Sequence, residues 1–207
     1  MKHSYAKRLT ARLIQLVGVG VTMHGATVHA ANITPPVVPT DLKVSGEFRP
    51  YLVGHAIGTQ NYVCVPNGSG WFTWLQYGPQ ATLFDDDGRQ IATHFLSPNP
   101  DEQETPRATW QHSRDTSTVW AKQAAIYKEP DFVEPGAIPW LLLSVSGQSV
   151  GVDGGDRLVD TVWIQRVHTS GGIAPQTGCS ETANVGAKAL VPYATDYYFY
   201  KARGRQK

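Results

Sequence analysis

The sequence predicts an all-β chain, an antiparallel β-sandwich or barrel-like single domain, on three observations. No stretch from Asp41 onward keeps the i, i+3, i+4 apolar spacing of a helix over helical length. Short β-branched and aromatic runs are instead divided by Gly, Pro, Asn and Asp, the residues that end strands and set turns. No repeat period divides the chain, and 207 residues, 41% of them hydrophobic, supply enough apolar material for one core.

The elements follow in order. Lys2, Lys7, Arg8 and Arg12 precede the apolar stretch Leu13 to Val21, and Val28-His29-Ala30 puts small or apolar residues at the −3 and −1 positions of a signal-peptidase cut. Residues 1–30 therefore read as a signal peptide, too short and too Gly-interrupted to span a bilayer. The lack of acids would also suit a mitochondrial presequence, but the −3/−1 pattern favours export, to the periplasm or the extracellular space. Residues 31–45, with Pro35, Pro36 and Pro39, read as an extended linker, because proline fixes φ and removes backbone donors. The β domain spans 46–201, and 202–207 is a basic tail.

Strands are expected at Thr59–Val65, Trp71–Tyr77, Ala81–Phe84, Gln90–Phe95, Ala108–His112, Thr118–Tyr127, Ile138–Val145, Leu158–Thr169 and Tyr193–Lys201. Pro66 to Gly70 turns the first pair, and Asp85-Asp86-Asp87-Gly88 gives the next hairpin its positive-φ residue. Tyr197 and Phe199 share one strand face and Tyr198 and Tyr200 the other. One pair must then be less buried or cover a second layer.

Composition removes whole classes of function. With Lys+Arg 18 and Asp+Glu 17 there is no charge excess to drive phosphate contacts, so no nucleic-acid partner is expected. Losing the four basic residues of the leader leaves 14 against 17 acids, a mature charge of −3. No G-x-x-x-x-G-K-[ST] loop is present, which argues against nucleotide enzymes. The two cysteines, Cys64 and Cys179, lie far apart and form no CxxC, so in an exported chain they read as a structural disulfide.

Four stretches carry a family likeness. They are Gly58-Thr59-Gln60-Asn61-Tyr62-Val63-Cys64, Ile138-Pro139-Trp140-Leu141-Leu142-Leu143, Ile164 through Pro175, and Val191 through Tyr200. Together they resemble a secreted domain family of unknown function, numbered 3455 in its series and found in bacteria and fungi. The resemblance covers about Gly54 to Tyr200 and implies export, one β-rich domain and no assigned catalytic residues. The chain departs from the family at Trp110-Gln111-His112-Ser113, where members often carry Gly-Ser after the motif tryptophan.

Few residues form a recognisable site. Gly147-Gln148-Ser149-Val150-Gly151 spells G-x-S-x-G, with Asp160 and His168 downstream, but the Gly-rich stretch after it cannot start the helix a nucleophile elbow needs. Asp85-Asp86-Asp87-Gly88 fails the calcium-loop template, with Arg89 at position five and Leu96 at position twelve. No cofactor is expected, and no metal; His94 and His112, ending strands on either side of the Ser97–Pro106 loop, are the weak candidates for metal ligation. The tryptophans Trp71, Trp74, Trp110 and Trp120 are the candidate ligand-binding residues, since exposed rings stack on sugars, while rings filling a core explain the same composition.

Three functions are therefore in play. The leading one is a non-enzymatic module binding an envelope or extracellular ligand, such as a glycan, through exposed aromatics. The alternatives are a small metal-assisted or hydrolytic enzyme using His94 and His112, and a purely structural envelope protein. No membrane span is expected in the mature chain.

Overall fold

The computed structural model describes residues 33–204, and the expected signal peptide, its cleavage point and the end of the basic tail lie outside the described residues. Eight antiparallel strands form a closed barrel in simple meander order: β1 (Phe48–Pro66), β2 (Phe72–Phe84), β3 (Gln90–Asn99), β4 (Thr105–His112), β5 (Thr118–Tyr127), β6 (Trp140–Ser149), β7 (Trp163–Gly171) and β8 (Lys188–Ala202). The first strand closes on the last, from Phe48 opposite Ala202 to Val63 opposite Lys188.

Two expected strand segments are one. Trp71–Tyr77 and Ala81–Phe84 belong to β2, which runs through Gly78-Pro79 at a register shift against Asn61 and Tyr62. Gly78 has φ +142, and a Cβ there would stand 2.9 Å from Leu96 Cβ, so glycine lets the bulged strand pass its neighbour. Leu158 to Val162 is loop, not strand, and β7 begins at Trp163. The Asp85–Gly88 turn forms as expected: Asp85 Oδ1 accepts from the amides of Asp87 and Arg89, and Gly88 takes φ +74.

Strand alternation sorts side chains into an inner and an outer set. Inside, Ala56, Ala81, Ala92 and Ala121 leave room for Trp110, Tyr193, Tyr197 and Phe199. One end of the barrel is plugged by the β6–β7 loop, which buries Leu158 completely. Asp115 and Ser117 fasten that plug. The amide of Arg157 donates to Asp115 Oδ2 at 2.9 Å, and the amide of Leu158 donates to Ser117 Oγ at 3.1 Å.

A second apolar cluster lies on the outer face of β6 to β8, with Val38, Leu42, Val133, Trp140, Leu142 and Val167 buried together. The Pro-rich segment expected as a linker is extended up to Pro39 and then docks here through a short 3-10 turn, Thr40–Leu42. Gln165 Nε2 donates to Leu42 O at 2.6 Å and holds it. This outer layer explains the tyrosine strand: Tyr197 and Phe199 face the lumen, and Tyr198 and Tyr200 are covered from outside.

Candidate functional site

The end of the barrel opposite the plug holds a cavity of about 230 Å³ that is partly open to solvent. Seven strands contribute to its wall, among them Gln60 from β1, His94 from β3, Trp110 from β4, Leu143 from β6, Arg166 from β7 and Tyr197 from β8. Each reaches inward because it occupies the same face of the pleat as the core alanines of its sheet. His94 stands opposite Trp110 and beside Ala81 in the two neighbouring registers.

The polar atoms of this space are buried and only partly paired. Gln60 is 1% exposed; its Oε1 accepts from Gln76 Nε2, which turns Gln60 Nε2 away to a position with no partner among the described residues. Trp110 Nε1 and the Tyr197 hydroxyl are likewise buried without an aligned hydrogen bond. His94 Nδ1 donates to Thr109 O at 2.8 Å, so in the neutral ring Nε2 carries the lone pair. Burial pushes the His94 pKa down to about 3, the bond to Thr109 O opposes this, and the charge of Arg166 lowers it further.

A gap in the wall leads to the cavity. Strands β2 and β3 pair only from Ala81 opposite His94 to Phe84 opposite Gln90, so the first half of β2 has no partner on that side. Tyr77, Gly78, Pro79, His94 and Leu96 line both the cavity and a groove on the outer surface of β1 to β3. Ile57, Leu75, Tyr77 and Leu96 leave apolar surface exposed around this gap.

The four expected tryptophans separate. Trp110 is in the lumen wall, 1% exposed, so it is not a surface platform. Trp120 is also buried, on the outer face opposite Thr109, with Nε1 donating to Ser97 Oγ at 2.9 Å. Trp74 is half-buried under the β7–β8 loop and donates to Thr177 O at 3.0 Å. Trp71 alone of the four is open to solvent, at 70% exposure, on the β1–β2 turn. An exposed aromatic face built from all four therefore does not exist, because strand alternation sends them to different sides of the wall.

His94 and His112 lie diagonally across β3 and β4, both facing inward, but each turns to its own partner. His94 bonds Thr109 O, and His112 Nδ1 stands 2.9 Å from Asp115 Oδ1 beside the plug. Among the described residues no three His, Cys, Asp or Glu side chains gather in a way that could hold a metal ion. Ser149 Oγ donates to Val150 O, with no helix after it, and His168 is committed to Asp196.

A histidine cluster the sequence concealed lies outside the barrel. Asp196 receives His55 Nδ1 at 2.7 Å on one oxygen and His168 Nδ1 at 2.9 Å on the other, and His55 Nε2 reaches Asp86 Oδ1 at 2.8 Å. His168 adopts φ +51 at a register shift in β7, which turns its ring to Asp196. Asp86 and then Asp196 hold the His55 pKa above its ordinary value. The cluster lines neither the cavity nor the outer groove.

Cys64 and Cys179 are joined, with Cα atoms 5.5 Å apart, and tie the β7–β8 loop to the open end of β1.

Fold and lumen define an eight-stranded up-and-down barrel, plugged at one end and hollow at the other. Residues 44–201 match the family described as "Protein of unknown function (DUF3455)", and the chain belongs to it. No curated protein and no solved structure matches the chain. No helix among the described residues is long and apolar enough to cross a membrane.

Proposed function

We propose that this protein is an exported, non-enzymatic barrel that holds a small extracellular or envelope-derived molecule inside its lumen. The observation that carries the reading is the pair of buried, unpartnered donors, Gln60 Nε2 and Trp110 Nε1, around a cavity reached through the wall. Burying a polar group without a partner costs about 1–3 kcal/mol, a cost a bound molecule with matching acceptors removes. Trp110 is then a ligand-binding residue from within, while Trp74 and Trp120 serve the scaffold. The disulfide supports export, since such bonds persist in oxidising compartments. A glycan stacked on the outside has weaker support, because Trp71 stands apart from the other three rings.

The test uses neutral fragments small enough for the lumen: phenol, indole and benzyl alcohol. Titrated into the protein, at least one is expected to shift the Trp110 Nε1–H resonance in NMR spectra, assigned as the indole signal missing from Trp110→Phe. If no indole resonance moves with any of the three or with benzoate, the lumen is not a ligand site.

A further inference from the structure

The lumen is electrically one-sided. Arg166 stands in its wall, and among the described residues no carboxylate comes within 4.0 Å of it. Its Nε and Nη2 donate to a neutral acceptor, Pro139 O, at 3.2 and 2.7 Å. The unpartnered atoms nearby are donors as well. An indole N–H and an amide NH2 can only donate, and the Tyr197 oxygen, which faces Arg166 and Tyr193 as an acceptor, keeps its own proton to donate. Burial is the largest influence on His94, Tyr193 and Tyr197, yet the positive charge of Arg166 is felt at all three.

A half-buried guanidinium facing a cavity with surplus donors lacks the negative acceptor that would satisfy it. We infer that the lumen takes a small molecule bearing a carboxylate, which meets Arg166 and the donors of Gln60, Trp110 and Tyr197. The inference rests on the lumen being a ligand site and adds the charge and size of what it takes. A volume of about 230 Å³ matches about eight water molecules at ~30 Å³ each, so the molecule is a single ring or a short chain. Leu96, Ala108, Leu141 and Leu143 offer its apolar part a wall, with Leu141 directly beside Arg166 in the β6–β7 pair. Access is through the gap between β2 and β3, whose neck is the contact of Gly78 with Leu96.

An isosteric series separates charge from shape: benzoate, benzamide and benzamidine, titrated by calorimetry at pH 7. Benzoate is expected to bind about tenfold to a hundredfold tighter than benzamide, the range for a hydrogen bond to a charged group, and benzamidine not at all. Arg166→Gln should bring benzoate down to the level of benzamide and leave benzamide unchanged. The comparison among ligands needs only the wild-type protein, so it decides the matter even if Arg166→Gln does not fold. Equal binding of benzoate and benzamide overturns the carboxylate assignment while the lumen remains a ligand site. Binding of phenol or indole with no response to benzoate has the same meaning, and silence toward every compound overturns both readings.

Discussion

The indole of Trp110 lies flat on the imidazole of His94, their centroids 4.1 Å apart and their planes within 11°. Tyr197 meets both rings edge-on, at 5.1 Å from His94 and 5.2 Å from Trp110. The three side chains come from β3, β4 and β8, so the stack spans the lumen and fixes Trp110 facing the cavity. A stack of this kind works with a neutral imidazole, and burial keeps His94 so.

Acid should therefore weaken the fold before the carboxylates titrate. The folded His94 pKa of about 3 lies below the ordinary 6.5, so the unfolded chain binds the extra proton between those values. Its contribution is complete above pH 6.5 and is lost as pH falls toward 3, at up to about 1.4 kcal/mol per pH unit. Urea unfolding at pH 4.5, 5.5 and 6.5 should show this slope, and His94→Gln should flatten it. An unchanged slope in the variant would mean that His94 is not the group responsible.

The opposite sign is expected outside the barrel. The His55 pKa lies above 6.5, through Asp86 and Asp196, so its stabilisation is present below 6.5 and is lost as pH rises through the folded value. Asp196→Asn should move the His55 ring titration downward in NMR spectra, with Asp86 still in place. A midpoint that stays put would show that Asp196 does not charge-couple to His55.

Opening the disulfide should cost much of the stability. Its partners are 115 residues apart, and a cross-link of that span constrains the unfolded chain by about 5 kcal/mol in the chain-entropy account. Cys64→Ala/Cys179→Ala should melt well below the wild type and, with its β7–β8 loop released, expose Trp74 to acrylamide quenching. A loss under about 1 kcal/mol would show that the loop is held by its other contacts.

Tryptophan replacements should rank by burial. Trp140→Ala removes a ring only 4% exposed at the centre of the outer cluster and should cost about 3–5 kcal/mol. Trp163 is half-buried at the edge of that cluster, and its loss should cost less. Trp71→Ala and Ser149→Ala, both at exposed sites, should stay within about 0.5 kcal/mol of wild type by denaturant titration.

The strands and their turns were legible because they depend on neighbours in sequence. Asp85–Gly88 announces its turn through Asp side-chain acceptors and a glycine, and of the two outcomes the alternation at Tyr197–Tyr200 allowed, a less buried pair or a second layer, the structure takes the second. Gly78-Pro79 read as a break because the bulge shows only in the pairing with β1, where Tyr77 is the extra residue of β2 between Gly78 opposite Asn61 and Gln76 opposite Tyr62. The Pro-rich segment gave no sign of docking, since Val38 and Leu42 are buried by residues from Val133 to Val167. The lumen was harder still. Gln60, Arg166 and Tyr197 lie on three different strands, and His55, Asp196 and His168 meet only where β1, β7 and β8 are adjacent. Two residues singled out in the sequence do line the cavity, Trp110 for its ring and His94 for its imidazole, both from inside the wall and neither for the reason first given.

The pairing of β1 with β8 also sets the order of events in folding. A chain synthesised from its N-terminus carries the 19-residue edge of β1 with nothing to meet it until Lys188–Ala202 has been made. Contacts so distant in sequence form slowly, because the ends of a long loop must find each other first. During that interval the exposed edge is open to pairing with another copy, the hazard of any unprotected strand. Loss of the last strand would make that interval permanent, leaving two open edges in place of a sealed wall.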